Sequence, residues 1–201
     1  PVVQDRFERL LRHRAETEPV PELTPALARK LLQRLDAIRL FAHGYPLLTN
    51  LTHLRVRPDY LLDFAWRHEL QGLCLHVLDG EENSLSRMTD DQLRAFGDKA
   101  RALGLDLHVE LSTTERASID EAIRIALAIG ARNVRTYARY EGKLSQVMAR
   151  IADDLRDLAA LADRHDLNID FEQHEELKSF EIAALLRQLD QPRVNALFDS
   201  G

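Results

Sequence analysis

Leu167-Asn168-Ile169-Asp170-Phe171-Glu172-Gln173-His174 alternates apolar and polar side chains with a period of two, the signature of a β-strand with one covered face. Its polar set is Asn168, Asp170, Glu172 and His174, and its covered set includes Ile169 and Phe171. The pattern returns in Val194-Asn195-Ala196-Leu197-Phe198-Asp199, which also closes on a carboxylate. Glu172 and Asp199 thus occupy the same place in successive strand–helix units. A closed parallel barrel would bring such positions together as hard oxygen ligands for a divalent cation.

Working back from this stretch, β-rich runs occupy residues 37–43, 72–78, 105–112 and 133–139, with the last two at 167–174 and 194–199. Their starts are spaced close to the roughly 31 residues expected of one unit in a 250-residue (β/α)8 barrel. Amphipathic helices fill the intervals. Thr89-Asp90-Asp91-Gln92 reads as a capping box and Gly104 as a stop; Ser118-Ile119-Asp120-Glu121 reads as a second box, with Gly130 as its stop. Leu144 to Leu158 marks a longer helix, and Ser179 is the expected cap of the last one. Helical connections between all strands require them to be parallel, so the fold class is α/β, a barrel of which this sequence supplies about six βα units.

Strands of a parallel sheet are usually apolar on both faces, so a polar parity needs a reason. Here Asp106, His108, Glu110 and Ser112 share one face, as do Asn133, Arg135, Tyr137 and Arg139. With the apolar parity under the helices, these groups face the barrel axis, where an unpaired charge costs several kcal/mol unless offset. Asp106, Asn133, Asn168, Asp170 and Asn195, early in their strands, are expected to form a neutralised filler network. His43, His76, Glu110, Arg135, Arg139, Glu172, His174 and Asp199 lie later, toward the C-terminal mouth where barrel enzymes place their chemistry.

Composition narrows the class. At 45% hydrophobic and 30% charged, 201 residues suffice for a core and fit neither disorder nor a membrane protein. A single cysteine excludes an internal disulfide or a thiolate metal cluster, and a net charge of -6 gives no footprint for a polyanion. A small-molecule substrate is expected, with no nucleic acid and no membrane, in the cytoplasm. Residues 1–36 read as a helical extension: Phe7, Leu10 and Leu11 on a first helix, and Thr24-Pro25 opening a second that carries Leu27, Leu31, Leu32 and Leu35. The expected division is this extension and a barrel domain over 37–201, the extension packing on the barrel or on a partner subunit of a homo-oligomer.

The segment Phe171-Glu172-Gln173-His174-Glu175-Glu176-Leu177-Lys178-Ser179, with Val194-Asn195-Ala196-Leu197-Phe198-Asp199-Ser200-Gly201, resembles the fifth and sixth strands of the xylose isomerase-like TIM barrels. That superfamily holds sugar phosphate isomerases and epimerases as well as apurinic endonuclease IV. Its usual forms are Glu-Asn-His and Leu-Asp-Thr-Gly-Asn; Gln173 stands here for Asn and Ser200 for Thr. The resemblance is strong over 167–201 and extends over most of 37–201. It implies that Glu172 and Asp199 are two of about four ligands to Mn, Mg, Co or Zn, the others coming from strands seven and eight. Those strands are expected to lie outside this sequence, which reads as a barrel truncated after its sixth strand.

What the resemblance implies chemically is an isomerase or epimerase of a sugar, sugar phosphate or keto-polyol, working through a metal-stabilised enediolate, with Glu172 as ligand and proton-transfer group. His43, His76, Glu110 and Arg135 would orient substrate, and His174 would orient Glu172 or touch substrate. A dehydratase of a cyclic hydroxy-keto acid uses the same chemistry and is the alternative. An endonuclease-like enzyme or a non-enzymatic barrel module fits less well.

Overall fold

The computed structural model describes residues 22–174 and 176–199. Its backbone contacts divide the chain into residues 1–38 and residues 39–201. In the first unit, α1 (Pro25–Asp36) starts as its sequence directs: Thr24 Oγ1 accepts from the Leu27 amide at 3.2 Å, with Pro25 in the first turn. The helix expected around Phe7, Leu10 and Leu11 lies outside the described residues.

The second unit is one sheet of six parallel strands whose spatial order follows the sequence. These are β1 (Phe41–His43), β2 (Gly72–His76), β3 (Asp106–Glu110), β4 (Asn133–Thr136), β5 (Asn168–Gln173) and β6 (Val194–Phe198). Each connection is helical: α2 (Leu48–Thr52) and α3 (Pro58–Arg67), then α4 (Asp90–Ala102), α5 (Arg116–Ile129), α6 (Leu144–His165) and α7 (Ser179–Leu189). Sequential parallel strands joined by helices are the arrangement the period required.

Pairing register turns the two parities into two continuous rows. Leu75, Val109, Val134, Ile169 and Val194 pair in turn across β2 to β6, and all are buried. They join the helix residues Leu61, Leu93, Ile119, Ile151 and Ile182 in one core. One residue further along each strand, His76, Glu110, Arg135, Asp170 and Asn195 pair in turn and form the other row. Because adjacent strand residues point to opposite faces, burying the first row fixes the direction of the second.

Among the lower polar positions, Asp106 has a counter-charge, whereas Asp170 is held by neutral amides. Asp170 accepts from Asn133 Nδ2 at 2.7 Å and from Asn195 Nδ2 at 3.3 Å, and Asp106 is ion-paired with Arg39. Phe41 closes this end: its ring lies where a side chain on Gly72 would have to go and tilts against His108 at 4.7 Å.

Among the expected helix starts, one forms as read and two are displaced. The Thr89 capping box forms, with Thr89 Oγ1 accepting from the Gln92 amide and Gln92 Oε1 from the Thr89 amide. Ser118 caps nothing: α5 starts earlier, at Arg116, because Thr113 Oγ1 accepts from the Glu115 amide at 3.0 Å and turns the chain into the helix there. Ser179 is already inside α7, whose entry is fixed by the Glu181 carboxylate accepting from the Lys178 amide at 2.8 Å.

Candidate active site

The C-terminal ends of the strands surround a cavity of about 470 Å³, lined from β1 to the residue after β6. His43, His76, Glu110, Arg135, His174 and Asp199 all border it. Glu172 lies behind Arg135, at 4% exposure.

Glu172 and Arg135 form its buried charged centre, an ion pair between neighbouring strands. Arg135 also stands 3.9 Å from Glu110 and over the Tyr137 ring, 4.9 Å from its centroid. The contacting oxygen, Glu172 Oε2, is buried and is held by the Arg135 guanidinium. Burial raises the Glu172 carboxyl above its ordinary value against the opposing pull of Arg135, and the nearby Asp199 charge adds to the rise. Asp199 follows β6 directly and is exposed on the cavity wall.

On the β1–β3 side, Glu110 is 5% exposed and its Oε2 lies 2.8 Å from His43 Nε2. The His43 and His76 rings are oriented by the same backbone device. The Tyr45 amide donates to His43 Nδ1 and the Leu78 amide to His76 Nδ1, each at 3.2 Å. The neutral rings therefore carry their proton on Nε2, directed from His43 to Glu110 and from His76 to Ser112 Oγ at 3.1 Å. The Glu110 hydrogen bond raises His43, whereas burial lowers His76 and the deeper His108. Cys74, below them, is pushed up to about 12 by burial and is no nucleophile at neutral pH.

His174 does not orient Glu172 through a hydrogen bond, as one reading of the sequence had it. Its Nδ1 is 2.8 Å from Glu176 Oε2, and its ring stacks on Tyr137 at 4.2 Å between centroids. Tyr137 OH accepts from Arg139 Nη2 at 2.7 Å, so the ring is held by His174 and by the guanidinium groups of Arg135 and Arg139.

Asp79 is the residue the sequence reading overlooked. It sits in the turn after β2, borders the cavity, and leaves Oδ2 buried without a hydrogen bond. Burial, then the Glu110 charge, pushes its carboxyl up to about 6. Its spacing of three from His76, whose Nδ1 is 3.9 Å away, was the available signal.

Among the described residues no group of three or more His, Cys, Asp or Glu is arranged to hold a metal ion. The pair Glu172 and Asp199 nevertheless fits a hard divalent cation in kind: two carboxylates, one of them buried and both near enough for the Asp199 charge to act on Glu172. They supply part of a ligand set. Likewise among the described residues, no helix is long and apolar enough to cross a membrane.

No family model matches the chain. It is 46% identical over 172 residues to the uncharacterized protein YihM of Escherichia coli strain K12, covering 86% of this chain and 53% of that protein. The chain thus spans about half the length of the curated relative it matches. Among solved structures it is similar to a D-psicose 3-epimerase crystallised in the presence of D-fructose, with TM-score 0.65 and 9% identity, over 81% of this chain and 63% of that one. It is also similar to a xylose isomerase-like TIM barrel protein from Mycobacterium smegmatis in complex with magnesium, with TM-score 0.53 and 12% identity, over 69% and 54% of the two chains. The chain therefore carries the xylose isomerase-like TIM-barrel fold, built in its described residues from six consecutive parallel strands.

Proposed function

We propose that this chain carries part of the active site of a metal-dependent isomerase or epimerase acting on a sugar or related keto-polyol. The observation that carries the reading is the Glu172 carboxylate. It is buried at the C-terminal end of the sheet, raised above its ordinary value, and close enough to Asp199 to feel its charge. The epimerase and the magnesium-bound protein among its structural neighbours support the same chemistry.

Glu172 and Asp199 would hold the cation, with further ligands completing the set. A divalent cation there supplies Lewis acidity, making the hydrogen beside a substrate carbonyl more acidic. Glu172 removes that proton, and its buried position makes it a stronger base than an exposed glutamate. Return of the proton to the neighbouring carbon isomerises the substrate; return to the opposite face of the same carbon epimerises it. His76 and Ser112, with Asp79 across from them, present polar atoms to substrate hydroxyls, and the Tyr137–His174 stack limits access of water to Glu172. The lining contains carboxylates, imidazoles and hydroxyls but no run of basic residues, which favours a polyol over a nucleic acid.

The test is metal depletion and restoration. Full-length protein dialysed against chelator is assayed with D-fructose and other ketoses, then again after addition of Mg, Mn, Co or Zn. Conversion to an isomeric sugar should be lost on depletion and return with one of these ions. Conversion that survives depletion undiminished contradicts the metal-dependent reading.

A further inference from the structure

We infer that Arg135 is an internal counter-cation for Glu172, exchanging that carboxylate for Glu110 when a divalent ion is taken up. The inference rests on the cation site proposed for Glu172 and Asp199. Three features of the structure support it.

Arg135 Nη2 contacts Glu172 through Oε2, a buried oxygen. A divalent ion needs that side chain's hard oxygens. A guanidinium and a dication at one buried carboxylate repel each other with little water to screen them. One has to leave for the other to bind.

Arg135 has somewhere to go. Its Nη1 already stands 3.9 Å from Glu110 Oε2, on the strand that pairs with its own. Glu110 is held ready by His43 at 2.8 Å and is as deeply buried as Glu172. The guanidinium lies over Tyr137, whose ring face offers it a surface to pivot across. Moving toward Glu110 lengthens one ion pair and shortens the other, so the arginine remains paired throughout. The alternative carboxylate on its other side, Asp170, is already taken by Asn133 and Asn195.

The row Glu110–Arg135 with Glu172 beyond it thus has two arrangements. Without the ion, Arg135 neutralises Glu172 and prevents two acids from standing unpaired in the core. With the ion, it neutralises Glu110. Arg135 is then a positioning residue that sets cation affinity.

The experiment titrates the full-length protein that contains this chain with Mn²⁺ alone, following free ion by electron paramagnetic resonance, so that no turnover is needed. Wild type is compared with Arg135→Gln, Glu110→Gln and Glu172→Gln. Removing the competing charge in Arg135→Gln should tighten Mn²⁺ binding by about tenfold. Glu110→Gln should weaken it by roughly threefold or more, because Arg135 loses its second seat and stays on Glu172. Glu172→Gln should abolish it. Unchanged or weaker binding in Arg135→Gln overturns the inference. If that variant does not fold, an unchanged affinity in Glu110→Gln overturns it equally. Either result, with binding that Glu172→Gln still removes, leaves the proposed cation site standing; no Mn²⁺ binding by wild type and Arg135→Gln alike overturns both.

Discussion

His43 and Glu110 are joined across two strand intervals by a 2.8 Å contact between Nε2 and Oε2, while the Tyr45 amide holds the opposite ring nitrogen at 3.2 Å. The imidazole is thus fixed from both sides, and a buried carboxylate receives a defined donor.

The pH dependence of this pair follows from its direction. The His43 imidazole is raised above its ordinary value, chiefly by its hydrogen bond to Glu110. A raised folded-state value contributes stability that is fully present below the unfolded value and lost as pH rises through the folded one. Protonation also places a hydrogen on Nδ1 and costs the Tyr45 amide its acceptor, which moderates the gain. Glu110→Gln should lower the His43 midpoint in an NMR titration. The stability advantage of wild type over His43→Gln, from urea unfolding, should be larger at pH 6 than at pH 8.

Asp79 moves with pH in the same sense for a different reason. Its carboxyl is raised from 3.8 to about 6 by burial, so stability linked to its protonated form is lost as pH climbs between those values. Asp79→Asn should therefore stabilise the chain at pH 8 by about 1–3 kcal/mol and change it little at pH 4. Urea unfolding at the two pH values checks this. The same variant should weaken turnover, since a buried acid bordering the cavity is the kind of costly group that function retains.

Gly97 on α4 packs against the last turn of α5, where an added Cβ would overlap the Ile129 carbonyl. Backbone cannot yield as a flexible side chain can. Gly97→Ala should cost about 2–3 kcal/mol in chemical unfolding despite its better helix propensity.

Asp154 on α6 anchors the loops beyond β3 and β4. Its Oδ2 accepts from Thr114 Oγ1 at 2.6 Å and from the Tyr140 hydroxyl, and those two hydroxyls are 2.7 Å apart. Arg150 covers the Tyr140 ring at 3.8 Å. Tyr140→Phe should cost about 1–2 kcal/mol, and Asp154→Leu more, because it leaves two hydroxyls without their acceptor. Differential scanning calorimetry of the two variants gives the order.

The sheet and its polar face were legible because strand direction is fixed by parity. Once Leu75, Val109, Val134, Ile169 and Val194 must be buried, His76, Glu110, Arg135, Asp170 and Asn195 have one face left. That logic stops where the strand stops. Asp79 lies in a turn past β2, where period two no longer assigns a direction, and its approach to Glu110 and Gly44 is purely tertiary. His174 is similar: it shares a parity with Glu172, but beyond β5 its partner is set by the loop that brings Glu176 back. The cap at Ser118 misled because the loop from Thr113 turns the chain earlier than the helical pattern alone discloses. The Arg135–Glu172 pair had a legible half, the charge type on each strand, and an illegible half, the stagger that places Glu172 beyond Arg135 and not level with it.

The central claim is that Glu172 moves a proton on a substrate carbon in a cation-dependent site. The most direct measurement is ¹H NMR in D₂O of the hydrogen beside the carbonyl of a ketose such as D-fructose, incubated with Mg²⁺ and either wild type or Glu172→Gln. Wild type should exchange that hydrogen for deuterium, and Glu172→Gln should slow the exchange by about a hundredfold or more. Exchange by Glu172→Gln at the wild-type rate, with its cation content intact, would contradict the assignment.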